Sequence, residues 1–262
     1  MLLTVKGIVI GQRNVGENSR FLDVLTEELG VIEVTAHAVK KINSKNAGST
    51  ALFTYSKFCL NKSKNRYSIN SAEPIYSFHK LSADFEKLSL AAYFAELTRY
   101  TSASEQKAGG LLRFFAISLY ELEKAQAASR LVKCVFELRL AVILGLAPDL
   151  VACADCAAYE HADFYFLIAE GQVFCGDCFA DVNTVKAGCF LLNPALLRAL
   201  RFVIFSQVEK VYKLDCAVFG ANGEKGEKSL HELGIIGEEY LLYHLGRKFR
   251  TLEYYKKLCN TL

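Results

Sequence analysis

Four cysteines stand in two C-x-x-C pairs between residues 151 and 180, and their spacing is the clearest indication of chemistry in this sequence. The pairs are Cys153 with Cys156 and Cys175 with Cys178, and eighteen residues separate them. This spacing lies within the range of four-thiolate zinc sites, whose closed tetrahedron leaves no coordination position open. We therefore predict one structural Zn²⁺ per chain. A thioredoxin-like dithiol would need one pair and would leave the other unexplained.

The segment that carries these cysteines, residues 151–180, is acidic and has no Lys or Arg; we call it the four-cysteine module. Its acidic residues are Asp155, Glu160, Asp163, Glu170 and Asp177. Four thiolates around Zn²⁺ add further negative charge, so the module should repel phosphates. We expect it to brace the helices on either side of it rather than to bind nucleic acid. His161 lies between the two pairs and is interpreted as a bystander.

The remaining cysteines and the composition indicate a folded protein of a reducing compartment. Five cysteines stand singly among apolar neighbours, as buried free thiols do: Cys59, Cys134, Cys189, Cys216 and Cys259. The chain has 262 residues, 52% of them apolar, which is enough for a core. No apolar run is long enough to cross a bilayer, and the start of the chain lacks the pattern of a signal peptide. We expect a cytoplasmic protein without a membrane partner.

Basic residues are concentrated near the start of the chain, where residues 1–80 hold 11 Lys or Arg and 6 Asp or Glu. Such an excess suggests a polyanionic partner. The candidate nucleic-acid-binding residues are Arg13, Arg20, Lys40, Lys41, Lys45, Lys57, Lys62, Lys64 and Arg66, with a second group of Arg247, Lys248 and Arg250. Aromatic residues interleave with the first group, and these rings either stack on bases or fill the interior of a barrel: Phe53, Tyr55, Phe58 and Tyr67. His37, on a predicted strand, is interpreted as packed.

Short β-like stretches precede Pro74, and helical periodicity follows it. Five stretches bounded by turn residues predict a small barrel that ends at Pro74: GIVIGQ, SRFLDVLT, GVIEVTAHAV, ALFTYSKFCL and NRYSIN. The third is the clearest, because Ile32, Val34 and Ala36 alternate with the residues between them.

Several helices are predicted beyond Pro74. In LSADFEKLSLAAYFAELTRY one face collects Leu81, Phe85, Leu88, Ala92 and Ala95. Ser129 is expected to cap a helix that stops at Gly145, and Asn193 to cap one that runs to about Gln207. GANGEKGEKS predicts a polar loop before helices over roughly 229–246 and 252–260. The predicted fold is α+β, with a five-stranded barrel over 1–78 and a helical domain over 79–262 that contains the zinc site at about 150–180.

Three strings, in this order, resemble the RecO family of bacterial recombination mediators: GIVIGQRNVGENSRFLDVLTEELG, FELRLAVILGLAPDLVACADC and YLLYHLGRKFRTLEYY. The similarity spans nearly the whole chain. It implies an N-terminal OB-type barrel, a helical domain and, as in zinc-bearing members, a four-cysteine site between helices. One departure lies after the third strand, where AHAVKKINSK lacks the family's glycine, although Lys40 and Lys41 keep the charge.

The resemblance also implies a function and its partners. The partners are single-stranded DNA, with duplex DNA as a further candidate, RecR, the tail of the single-stranded-DNA-binding protein and, indirectly, RecA. A nucleoid-associated, non-enzymatic mediator would anneal complementary strands and, with RecR, help to load RecA onto coated strands. The acidic tail would meet cations near the FELRL helix, for which the candidates are Arg130, Lys133 and Arg139.

Two other functions stay open from the residues alone. One is a zinc-ribbon nucleic-acid-binding protein of transcription or RNA handling, which would bind strands without pairing them. The other is a thiol oxidoreductase that uses C-A-D-C or C-G-D-C. The sequence contains no Walker A loop and no evident nucleophile with its base.

Overall fold

The computed structural model describes residues 1–41, 43–64, 66–103, 105–124, 129–180, 188–214 and 224–261. The chain divides into two compact units, of which the first comprises Met1–Ala125 and Phe249–Leu262 and the second Gln126–Lys248. The chain therefore leaves the first unit and returns to it. The predicted boundary near residue 78 falls inside the first unit, and the division into a barrel domain and a helical domain stays a prediction.

The first five strands form a closed barrel in the first unit. They are β1 (Leu2–Val15), β2 (Ser19–Thr26), β3 (Gly30–Ala36), β4 (Thr54–Ser63) and β5 (Arg66–Ser77). The hydrogen-bonded order is β1-β2-β3-β5-β4, and β4 pairs with β1 to close the ring. The parallel pair of β3 with β5 joins Val34 to Tyr67 and Thr35 to Ser68, whereas the other pairs are antiparallel.

Alternation along the strands fills this barrel. The prediction for β3 is confirmed, because Ile32, Val34 and Ala36 are buried while Glu33 is exposed. Each strand contributes to the buried set, which includes Val5, Val9, Leu22, Val24, Ile32, Val34, Phe58, Leu60 and Tyr67. The opposite face carries polar and charged side chains over much of the barrel, although β1 and β2 also bury Ile8, Ile10 and Leu25 there.

The sequence analysis predicts that the barrel ends at Pro74, but the last strand continues past this residue. Pro74 lies opposite Ser56, and the next pair joins Tyr76 to Tyr55, so Ile75 is an extra residue that shifts the register. Proline has no N–H to donate to a ladder, and a bulge is one of the positions where a strand accepts it. The strand therefore continues to Ser77.

The helices are α1 (Phe85–Thr101), α2 (Gly109–Lys124), α3 (Ser129–Ile143), α4 (Gly176–Phe179), α5 (Pro194–Phe205), α6 (Glu224–Leu245) and α7 (Arg250–Thr261). Helices α1, α2 and α7 belong to the first unit. The predicted face of α1 was wrong at Phe85, which is 77% exposed, although Ala95 is buried. Leu90, Phe94 and Leu97, which lie outside the predicted face, are buried as well. Asp84 caps α1 by accepting hydrogen bonds from the second and third N–H groups, so Leu81 lies outside the helix and does not set its phase.

Helix ends in the second unit follow the predicted chemistry at two of three positions. Gly145 has a φ of +77°, and the N–H of Leu146 donates to the carbonyl of Ala141 at 2.8 Å, which ends α3 as predicted. Asn193 caps α5, accepting from the N–H groups of the second and third helical residues. The cap at Ser129 stays a prediction, since α3 is described from Ser129 and residues 125–128 lie outside the described ranges.

The polar stretch GANGEKGEKS is helical from Glu224 onward, so the predicted loop was wrong over that part. Glu and Lys are good helix formers, and a polar composition alone does not exclude a solvated first turn. The second unit also contains a sheet of β6 (Phe164–Leu167), β7 (Gln172–Cys175) and β8 (Cys189–Leu192), in the order β7-β6-β8. Among the described residues, no helix is both long and apolar enough to cross a membrane.

Candidate metal centre and barrel groove

The four cysteines of the two C-x-x-C pairs converge, as their spacing predicted. The Sγ atoms of Cys153, Cys156, Cys175 and Cys178 all lie within 4.8 Å of one another, and these thiols are free. The sulfurs of Cys156 and Cys175 are 3.7 Å apart. Zn–S bonds of about 2.3 Å in a tetrahedron would separate neighbouring sulfurs by about 3.8 Å, so the donor set fits Zn²⁺. A bound Zn²⁺ would supply a structural cross-link with no open position.

Backbone N–H donors favour the thiolate form of the buried Cys153. Burial alone would raise the pKa of this thiol, but backbone N–H groups, including those of Cys156 and Cys175, lower the pKa to about 6. The N–H of Cys175 lies 3.3 Å from the Cys153 sulfur. The thiolate is the form that binds metal, so these hydrogen bonds favour the ligand state.

Local backbone pairing places the two cysteine pairs together. Strand β7 ends at Cys175, and Cys178 follows in the short helix α4. The first pair is attached to the same strand, because the N–H of Ala154 donates to the carbonyl of Val173 at 2.8 Å. The hairpin of β6 and β7 thus holds both halves of the centre.

Arg201 on α5 ties the start of the four-cysteine module to that helix. Its Nε donates to the carbonyl of Leu150 at 2.7 Å, and its Nη2 donates to the carbonyls of Val151 and Tyr159 at 2.8 and 3.2 Å. The guanidinium also lies 4.4 Å from the centre of the Tyr159 ring. One side chain therefore fixes the backbone on both sides of the first cysteine pair.

Helix α6 holds the hairpin of the module. The hydroxyl of Tyr240 donates to the carbonyl of Leu146 at 2.9 Å, and its ring lies 5.6 Å from that of Phe166. Burial raises the pKa of Tyr240 to about 12, so the hydroxyl stays a donor at neutral pH. The Nε2 of His244 lies 3.0 Å from the carbonyl oxygen of Ile168. These contacts, with those of Arg201, are what the bracing hypothesis requires.

His161 lies outside the sulfur cluster, as interpreted from the sequence. Its Nδ1 is 2.8 Å from the carbonyl oxygen of Asp163, and its Nε2 is 3.5 Å from the carboxylate of Asp177. The imidazole therefore orders the loop beside the centre.

A groove of about 960 Å³ crosses the outer face of the barrel in the first unit. It lies along β3, includes one residue of β2, and extends to the ends of β4 and β5 beside the turn that joins them. Its lining includes Phe21, Glu33, His37, Arg66, Tyr67 and Glu105. Aromatic, cationic and anionic groups thus share one open surface.

Two predicted cations beside this groove are held by carboxylates that line it. Arg13 donates to Glu33, and its guanidinium lies 5.2 Å from the centre of the Phe21 ring. Lys62 donates to Glu105 at 3.1 Å and lies 5.2 Å from the centre of the Tyr67 ring. The charge of each cation is therefore partly neutralised in this structure.

The other predicted cations are distributed around the surface. Arg66 lines the groove, and the exposed Lys64 precedes it in the turn between β4 and β5. Arg20 donates to Gln12 at 3.0 Å. The remaining members are exposed and do not line the groove: Lys40, Lys41, Lys45, Lys57, Arg247, Lys248 and Arg250. Arg247 and Lys248 belong to the second unit and Arg250 to the first, so each is described within its own unit.

Of the two alternatives left open for the aromatic residues, filling the interior fits most of them. Phe53, Phe58 and Tyr67 are at most 5% exposed, and Tyr55 is half-buried. Tyr67 also lines the groove, where it is joined by Phe21, a ring that was not among the predicted ones. The alternation of SRFLDVLT contained the signal, because Leu22 and Val24 point inward and their neighbour therefore points outward. His37 was interpreted as packed, but it is exposed and lines the groove.

The three cations proposed for a protein partner differ in exposure. Arg130 is exposed, but Lys133 and Arg139 are 7% and 8% exposed. Lys133 donates to Glu137 and Glu238 at 3.0 and 2.8 Å, whereas Arg139 donates to carbonyls at the end of α5. A cation at the rim of a docking groove has to be accessible, so of these three Arg130 alone meets that requirement.

Two family descriptions match the chain over most of its length. The N-terminal part of recombination protein O matches residues 1–78, and its C-terminal part matches residues 82–253. Curated relatives named DNA repair protein RecO include one from Acetivibrio thermocellus, 28% identical over 98% of this chain and 97% of its own. Another, from Alkaliphilus metalliredigens, is 28% identical over 98% of this chain and all of its own. A third, from Clostridium acetobutylicum, is 27% identical over 91% and 99%.

Proposed function

The chain belongs to the recombination protein O family, and on this premise we propose that it acts in DNA repair and recombination as a non-enzymatic mediator. It binds single-stranded DNA on the barrel and anneals complementary strands. With RecR it helps to load RecA onto strands coated by the single-stranded-DNA-binding protein. This activity is carried out in the cytoplasm, at the nucleoid.

The observation that carries this proposal is the groove on the barrel. A closed five-stranded barrel in the order β1-β2-β3-β5-β4 supports an OB-type assignment, and OB folds bind oligonucleotides across strands 2 and 3 and the loop between strands 4 and 5. The groove occupies those elements, with Phe21 available to stack on a base and Arg66 to meet a phosphate. Lys64 adds an exposed cation at the same turn.

The second unit supplies a scaffold and, we propose, a docking surface. The four-cysteine module would hold one structural Zn²⁺, and its acidic surface would keep phosphates away from it. Arg130 is the exposed cation that fits an acidic peptide such as the tail of the single-stranded-DNA-binding protein. Annealing follows when the barrel neutralises the phosphates of one strand and leaves most of its bases open to the complement.

A salt titration of oligonucleotide binding tests the barrel. We expect the logarithm of the affinity of wild type to fall with log salt at a slope near −0.7 for each phosphate engaged. The double variant Lys64→Glu with Arg66→Glu should bind more weakly and lose about 1.4 of this slope, because two phosphate contacts are lost. Fluorescence anisotropy with a labelled single strand at several salt concentrations measures both effects.

The matched control changes two exposed cations of the first unit that do not line the groove, Lys80→Glu with Lys107→Glu. It alters net charge equally and should leave the slope near that of wild type. The same proteins are then compared in annealing of complementary strands coated with the single-stranded-DNA-binding protein. Equal slopes and equal annealing rates in the two double variants would remove the groove from the proposed function.

A further inference from the structure

The carboxylate of Glu105 occupies one wall of the barrel groove, although it comes from outside the barrel, between α1 and α2. It accepts hydrogen bonds from Lys62 Nζ at 3.1 Å and from the hydroxyl of Tyr67 at 3.2 Å. The hydrogen bond from Lys62 and its charge lower the pKa of Glu105. The hydrogen bonds of Lys62 to Tyr67 and then to Glu105 raise the pKa of Lys62, so both groups are ionised at neutral pH. An anion thus sits in the groove proposed for phosphates.

The backbone around Glu105 is fixed against the turn between β2 and β3. Glu105 has a φ of +62°, in the left-handed region that side chains other than glycine rarely adopt. Its N–H donates to the carbonyl of Leu29 at 2.8 Å. Gly30 permits this approach, because a Cβ there would lie 2.3 Å from the carbonyl oxygen of Ala103. The backbone of residue 105 is therefore placed by its own loop, and this keeps the glutamate beside the groove independently of Lys62.

A second ion pair at the groove repeats the arrangement. Glu33 lines the groove from β3 and accepts from Arg13, whose guanidinium also faces Phe21. Carboxylates and phosphates compete for the same charge-assisted hydrogen bonds from Lys and Arg. Both cations are thus engaged by internal acceptors of the kind that DNA would supply.

Resting on the proposed function, we propose that Glu105 is an intramolecular competitor of the DNA phosphates at this groove. A phosphate that reaches Lys62 has to displace the carboxylate, and it also meets the repulsion of a charge held nearby. Glu105 thereby lowers the affinity of the barrel for single strands and favours their release to a partner. The pair is exposed, so it opens readily and attenuates binding rather than blocking it.

The substitution Glu105→Gln removes the charge while an amide oxygen remains to accept from Tyr67. We expect single strands to bind about two- to fivefold more tightly, the range that an exposed ion pair allows. The salt dependence should steepen by about 0.7, because Lys62 becomes free to engage one more phosphate. Anisotropy titrations of the full chain at several salt concentrations measure both quantities.

Glu73→Gln is the matched control, since Glu73 is an exposed carboxylate of the same barrel that does not line the groove. It changes the net charge by the same amount as Glu105→Gln, and it should alter the affinity for single strands and the salt slope much less. A double-mutant cycle then assigns the gain to Lys62. Lys62→Gln alone should lower the affinity for single strands less than about twofold, because an exposed ion pair contributes little. Combined with Glu105→Gln, it should abolish the gain in affinity that Glu105→Gln causes.

The outcomes separate this inference from the function it rests on. If wild type binds single strands and Glu105→Gln behaves like Glu73→Gln, the competitor role is wrong while the groove stands. If the gain persists in the combined variant with Lys62→Gln, Lys62 is not the cation that Glu105 withholds, which also overturns the proposal. If neither wild type nor Glu105→Gln binds single strands, the proposed function itself fails.

Discussion

The cations of the barrel rim and those of helix α3 have similar residue types but opposite surroundings. Lys64 and Arg66 lie at an open turn, whereas Lys133 and Arg139 are buried. In a strand with one buried face, alternation indicates which side chains face water. In α3 every position from 131 to 141 is buried, so periodicity cannot indicate where a cation points. A basic residue is therefore evidence of a binding surface only where its element has a solvated face.

The carboxylates that pair with these two groups of cations also differ in exposure. Glu105 meets Lys62 at the surface, and such a pair contributes little to stability, so it is free to serve binding. Glu137 is fully buried beside Lys133, and Glu238 lies 2.8 Å from the same ammonium. Removing one member of a buried group leaves an uncompensated charge. The first region can exchange its partners, whereas the second cannot do so without loss of stability.

The largest expected effect comes from removing two cysteines of the four-cysteine module, which would test whether the second unit depends on a structural metal. Cys153→Ser with Cys175→Ser should abolish metal binding and destabilise the second unit, since apparent binding energies of structural zinc reach about 10 kcal/mol in small domains. Metal content by mass spectrometry and thermal unfolding measure the two losses. Cys189→Ser is the control, because Cys189 lies outside the cluster. Metal retained at full occupancy by the double variant would contradict the assignment, and dithiol turnover by wild type would favour an oxidoreductase.

A smaller effect sharpens the contrast between buried and exposed cations. Lys133→Ala should cost about 3 to 5 kcal/mol of unfolding free energy, because Glu137 and Glu238 would lose their counter-charge. Lys64→Ala should stay within about 0.5 kcal/mol, as exposed substitutions do. Urea unfolding compares the two variants, and equal costs would show that the buried group is not a stabilising one.

The pKa of Lys133 gives the sign of its pH dependence. Burial lowers this pKa, but Glu137 and Glu238 outweigh it and raise the pKa above its ordinary value of 10.5. A raised pKa in the folded state means that the contribution of the lysine is fully present below 10.5 and is lost as the pH rises through the higher folded value. Near neutral pH the lysine is therefore charged in both states, and the loss of unfolding free energy caused by Lys133→Ala should change little with pH through this group.

The smallest of the three effects concerns the ring that faces the groove. Phe21→Ala should weaken single-strand binding by about 1 to 3 kcal/mol, the contribution of one stacked base. The salt slope should not change, since no phosphate contact is lost. Tyr76→Ala removes an exposed ring of the same barrel that does not line the groove, and it should bind as wild type does. Equal losses in both variants would mean that Phe21 has no special role.

The parts of the structure that could be predicted depend on short-range chemistry. The two C-x-x-C pairs encode their own convergence, alternation places Val34 inside the barrel, and Asn193 caps the helix that Pro194 begins. Each of these signals lies within a few residues, or in a ligand set that only one arrangement satisfies.

The parts that could not be predicted depend on contacts distant in sequence. Glu105 lies at the groove because its loop packs closely against Gly30 and is hydrogen-bonded to the carbonyl of Leu29. No local sequence pattern predicts this contact. Phe53, Phe58 and Tyr67 look the same in sequence whether they stack on bases or fill the interior, and only closure of the barrel decides.

Helix α7 belongs to the unit formed by the first 125 residues, and it docks on α1, where Glu96 accepts hydrogen bonds from the N–H and hydroxyl of Thr251. On the ribosome, the segment that makes up the other unit must be synthesised in between, which takes roughly 6 to 25 seconds at the usual elongation rates. The unit that begins first therefore finishes last. During that interval the α7-binding face of α1 is open to chaperones and to other nascent chains.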